Sequence, residues 1–139
     1  MPSKRENILA RVATALAGTS GVGARIYRSR VVPLARGEAP ALVIEPVGDS
    51  CVQDTLSTLM WTLTFRVSII VRGNVPDQLA DAAMMDVHSK LMSDTTLDGM
   101  VIIMLPTTVN FEMLEADQPA GVVSAEFSAQ YRTSLNSLS

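Results

Sequence analysis

One cysteine, one histidine and one tryptophan are all that 139 residues provide of three side chains that often carry chemistry or recognition. A lone Cys51 excludes an intrachain disulfide and suits a reducing, intracellular place of assembly. A lone His88 excludes a metal site built on several histidines, and its helical neighbours Met84 and Met92 point to packing. Long apolar runs are missing too. The longest, residues 100–105, falls far short of the roughly 20 residues a bilayer span needs. The N-terminal Met-Pro-Ser-Lys-Arg-Glu leads into no apolar stretch, because Arg11 and Thr14 interrupt residues 8–17. We therefore read no signal peptide and no membrane span. Basic excess is absent: net charge is −3, and Tyr27 is the one aromatic among Arg25, Arg28, Arg30 and Arg36. A single ring is no stacking platform, so nucleic acid is not an expected partner.

Apolar residues make up 47% of the chain and charged residues 18%, enough to build one core without metal or disulfide staples. We expect one domain over residues 1–133 and a fraying polar tail over 134–139. Ser3 and Glu6 form an S-x-x-E capping box ahead of Ile8, Leu9, Val12 and Leu16, which recur at helical spacing. Gly18 supplies the stop, giving a helix over 4–17. Residues 25–32 and 41–47 read as strands, with 33–40 and 48–57 as loops. From Leu59 to Val71 apolar residues hold every odd position, opposite Thr62, Thr64, Arg66, Ser68 and Arg72. That alternation predicts a long strand buried on one face. Asn74 is placed to cap a helix over 76–92 that aligns Leu79, Ala83, Val87 and Leu91. A turn over 94–99 and three strands follow: 100–105, ended by Pro106; 109–114; and a regular one around 123–132. The expected class is α+β: a mixed, largely antiparallel sheet with two α-helices packed on one face, in the order α-β-β-β-α-β-β-β.

The local motifs do not carry chemistry. Gly18 and Gly23 stand at phosphate-loop spacing, but Ala24 and Arg25 replace the Lys-Ser/Thr pair and a strand follows in place of a helix. Asp94, Thr96 and Asp98 match the start of a calcium loop whose twelfth position is Leu105 where a bidentate Glu is required. Cys51 falls in a polar loop without an orienting signature for attack through His88. The pairs Glu112/Glu115 and Asp77/Asp81 fall on solvated faces. No catalytic residue, cofactor site or metal site is expected, and the chain reads as a binder and not as an enzyme.

Association is the alternative use for such a surface. Eight Met, several of them near residues 84–113, suit adaptable contacts as well as cores. Residues 100–105 are apolar on both faces, so the strand is either sandwiched inside the domain or covered by a partner subunit. Residues 1–73 carry nine Lys/Arg against five Asp/Glu, while 74–139 carry two against nine. Opposite charge on two surfaces favours head-to-tail contact between copies in a ring.

The order of these elements resembles the tail terminator (tail completion) family of tailed bacteriophages over roughly residues 5–133. The resemblance rests on the helix Ile8-Leu-Ala-Arg-Val-Ala-Thr-Ala-Leu16, the short basic strand after it, and Pro-Ala-Leu-Val-Ile44. It also rests on Trp61-Thr-Leu-Thr-Phe-Arg-Val-Ser-Ile69, helix 76–92 with its Leu97-Asp-Gly99 exit, and the strand ending at Arg132. It implies a structural virion protein, assembled in the host cytoplasm. Such a protein forms a homohexameric ring that terminates the tail tube and joins it to the head. The implied partners are copies of itself, the tail-tube protein and a head-completion protein. No family site motif transfers. By element position, 25–36 and 48–57 are the expected contact regions, with Arg28, Arg30, Arg36, Arg66 and Arg72 as candidate interface residues. The rival readings are another head–tail connector or tail-tube protein, or a small cytosolic ligand-binding domain or enzyme.

Overall fold

The odd-position apolar residues of the long strand form the middle of the core. In the computed structural model, which describes residues 2–23, 25–29, 40–73, 75–114 and 120–139, the elements in chain order are α1 (Lys4–Ala15), β1 (Ile26–Arg28), β2 (Ala41–Gln53), β3 (Thr58–Arg72), α2 (Pro76–Met92), β4 (Ile103–Leu114) and β5 (Ala120–Ser134). One five-stranded sheet runs in the order β1-β2-β3-β5-β4. β1 lies parallel to β2, and every other pair is antiparallel. The expected class therefore holds, with five strands in place of six.

Leu63, Phe65, Val67 and Ile69 of β3 stand opposite Ala129, Phe127, Ala125 and Val123 of β5. All eight are buried, and Phe65 stacks on Phe127 with ring centroids 5.5 Å apart. Leu42 and Ile44 of β2 extend the same face. Ile8, Leu9 and Val12 from α1 close over it, with Ala80, Ala83, Val87 and Leu91 from α2. Full burial of such a side chain contributes about 1.5–3 kcal/mol, so this apolar face is what fixes the fold.

The helix ends follow the sequence in part. Ser3 Oγ accepts from the Glu6 amide at 3.2 Å, as a cap should. The reciprocal half of the box does not form, because the Glu6 carboxylate instead binds Arg28. α1 stops at Ala15 with Leu16 as its C-cap, and Gly18 (φ 78°) turns the chain away. In α2 the cap is Val75, without a side-chain bond, and Pro76 opens the helix; Asn74 lies outside the described residues. Leu79 is exposed and Ala80 takes its place in the core. The buried stripe is therefore Pro76, Ala80, Ala83, Val87 and Leu91, a spacing that keeps one face on the sheet.

Two strands are longer than expected. β2 continues through residues 48–53, first read as loop, because a bulge between Pro46 and Gly48 absorbs the irregularity and pairing with β3 resumes. Residues 54–57 alone turn the hairpin. β4 is one strand where two were expected: a bulge between Pro106 and Thr108 lets pairing with β5 pass the proline. Proline is tolerated there because β4 is an edge strand, one side of which needs no donor. Residues 100–102 precede it in a turn. Of the strand expected over 25–32, β1 keeps three residues, and 30–32 lie outside the described residues, as do most of loop 33–40 and residues 115–119. The C-terminal residues return to α1, where the Lys4 amide donates to the Leu138 carbonyl at 2.8 Å.

Candidate assembly surface

β4 closes one side of the sheet, and its residues 105–113 are all exposed. Just before them the Met104 amide donates to the Thr95 carbonyl at 2.8 Å, which marks where the 94–101 turn stops covering the strand. Beyond that point no described residue pairs with the outer edge of β4. Val109, Phe111 and Met113 lie on the helix-bearing face, yet Phe111 is 67% and Met113 62% exposed. Of the residues read as a sandwiched or partner-covered strand, 100–102 lie in the turn and 103–105 begin this edge strand, with Val101 and Met104 buried inside the protomer.

Between α2 and β4 runs an apolar groove of about 300 Å³ lined by Met84, Met85, His88, Pro106, Val109 and Phe127. A separate depression nearer the start of α2 is acidic, where Asp77 and Asp81 stand beside Phe111. Asp77, Asp81 and Glu112 make no ion pair among the described residues.

The sheet has a second open edge. β1 covers β2 only at Leu42, Val43 and Ile44. From Pro46 to Gln53 no described strand lies outside β2, and Val52 there is 66% exposed. Cys51, exposed, is on this strand and not in a loop.

Most of the cations on this surface are committed within the protomer. Arg28 grips Glu6 with both terminal nitrogens, at 3.2 and 3.0 Å. Arg66 bridges Glu45 at 3.1 Å and Glu126 at 3.3 Å across three strands of the open face. Burial lowers the Arg66 pKa, but the two carboxylates outweigh that and the net shift is upward. Arg72, at the end of β3, is engaged as well. Arg30 and Arg36 lie outside the described residues. Folding also mixes the two halves of the chain: Arg11–Asp98, Arg66–Glu126 and Arg132–Asp54 each join a residue before position 74 to one after it. Among the described residues the charge asymmetry of the sequence is thus partly offset by pairs between the two halves, and Asp77 and Asp81 at the start of α2 keep unpaired acidic charge.

At the open end of β2, Asp49 Oδ2 accepts from Arg5 Nε at 2.8 Å and from the Tyr131 hydroxyl. Burial, then the bond to Asp49, push the Tyr131 pKa from 10.0 up to about 12. Asp49 Oδ1 is buried without a partner. Trp61 stacks on Tyr131 and donates to Thr133 Oγ1 at 2.9 Å. Alternation flagged Trp61 and Tyr131 as inward-facing, while Asp49 was hidden in a presumed loop.

The structure does not unite the residues that sequence reasoning weighed for chemistry. Cys51 is on β2, whereas His88 faces β4 across the sheet. Asp94 is a turn residue: its carboxylate accepts from the Thr96 and Asp98 amides and the Thr96 hydroxyl, and the Asp98 amide foremost lowers its pKa. Among the described residues no three His, Cys, Asp or Glu gather as metal ligands, and no helix is long and apolar enough to cross a membrane.

The sequence matches no protein-family model, and no curated protein matches it. Among solved structures it is similar to a chain of "Virion of native gene transfer agent (GTA) particle". The TM-score is 0.71 at 16% identity, over 91% of this chain and 95% of that one. At that identity the likeness is one of fold.

Proposed function

We propose that this chain is a structural subunit of a tailed phage-like particle, and that it acts as a tail terminator. In that role it forms a ring that ends the tail tube and offers the surface on which the head docks. The observation that carries this reading is the fold shared, nearly end to end in both chains, with a component of a gene transfer agent virion. The exposed edge of β4 and the apolar groove beside it support self-association, since lone soluble domains seldom leave a long apolar edge uncovered. Among the described residues the committed ion pairs turn attention to the groove and the two edges as surfaces for assembly.

The test is the mass of the purified protein in solution across ionic strength, together with negative-stain imaging. Closed rings of uniform size are expected. Open-ended tubes would indicate a tube subunit, and a monomer at every salt concentration would reject the proposal. In a particle lacking this protein, tails should lose their fixed length or fail to join heads.

A further inference from the structure

The two edges lie on opposite sides of one sheet, and among the described residues each is short of a partner. We propose that the outer edge of β4 in one copy pairs antiparallel with the outer half of β2 in the next, so that the sheet continues from protomer to protomer. The inference rests on the ring reading above and names the junction that would build the ring.

Strand direction allows it. β2, β3, β5 and β4 alternate in direction, so a copy placed beside β4 by rotation presents its β2 antiparallel. Lengths match: among the described residues nothing pairs outside 105–113 of β4 or outside 46–53 of β2. The levels of the two edges differ. Val109 is level, through Ala125, with Val67 of β3, while the middle of the open half of β2, Asp49–Ser50, is level with Leu63 and Thr62. That stagger is about 15 Å at the rise of a strand, gained over four strand spacings of together about 19 Å. The resulting slant of about 38° lies in the 35–45° range that closed sheets require. A flat pairing would have put the edges level and given an open ribbon.

The faces agree as well. Val109 and Phe111 stand on the helix-bearing face of β4, and Cys51, opposite Trp61, stands on the same face of β2. Phe111 would then gain the cover it lacks. On that side the acidic start of α2, with Asp77 and Asp81, meets the next copy's α1. Of the cations on that helix, Arg5 and Arg11 are already paired with Asp49 and Asp98, which leaves the Lys4 charge to face the acidic surface. Opposite charge there favours this head-to-tail order.

Native Cys51 supplies the test. Within one protomer three strand spacings alone set Cys51 at least about 14 Å from Val109, beyond the roughly 7 Å that a disulfide spans. Any Cys51 bridge to β4 therefore joins two copies. Val109→Cys, Thr107→Cys and Phe111→Cys, all at exposed positions, cover neighbouring registers. Mild oxidation should give a ladder of linked protomers on a non-reducing gel for at least one of them, lost when Cys51→Ser is added. No ladder from any of the three, with unchanged circular dichroism, overturns the junction. Mass before oxidation separates the two readings: rings without cross-links reject this junction alone, whereas monomers without cross-links reject the ring as well.

Discussion

Tyr131 shows how a single buried hydroxyl ties distant parts of the chain. It holds Asp49 of β2, which in turn holds Arg5 of α1. Its phenol stays neutral well past its ordinary range, to about 12. A group whose pKa is higher folded than unfolded stabilises fully below its unfolded value. That contribution is then lost as pH climbs through the folded value. Wild type should thus be more stable than Tyr131→Phe at neutral pH, by about 1–3 kcal/mol for the lost bond to a buried carboxylate. The advantage should shrink between pH 10 and about 12. Denaturant titrations of both proteins across that window check it, and a constant difference would contradict it. Such ties are invisible in sequence, because nothing local says that Asp49 lies beside Tyr131. The five arginines chosen as contact residues illustrate the same limit. Arg28, Arg66 and Arg72 are half-buried, and nothing local named Glu6 and Glu45 as the partners of Arg28 and Arg66.

At the scale of elements, periodicity located β3, β5 and both helices to within a few residues, since each buries one regular face. It failed where a bulge shifts the phase. The irregularities after Pro46 and Pro106 looked like strand ends, and both are interruptions inside a strand. Which strand lies at an edge depends on pairing order, which alternation does not encode, so the open edge of β4 was not foreseen. Packing of α2 on the sheet depends on one small residue. A Cβ on Gly121 would sit 2.4 Å from Pro76 Cβ, so Gly121→Ala must push the start of α2 off β5. Overpacking of this kind costs about 1–3 kcal/mol. Gly48→Ala meets nothing within 4 Å and is the control, expected to stay near wild type in chemical denaturation.

For the whole molecule, the relevant charge is what remains after internal pairing. Arg30 and Arg36 lie in a stretch, residues 24–37, that holds four arginines and no acid. Charge reversal at both should weaken ring formation or head docking, read as a lower mass at physiological salt and fewer joined particles. Unchanged assembly would remove this segment from the contact surface. The general class of the molecule was readable from its alternating strands and two amphipathic helices. Its mode of association was not, because that depends on how strands order themselves and on charges that cancel only in three dimensions.

The proline in β4 has one more effect. An exposed apolar strand is a template for fibril growth as well as for specific assembly. Pro106 withholds one amide donor, and the adjoining bulge adds local twist. Straight, indefinite stacking of like strands is thereby frustrated, while a curved partner that follows the twist is still accepted. The same irregularity that hid this strand in the sequence thus makes its edge a poor template for a straight cross-β stack.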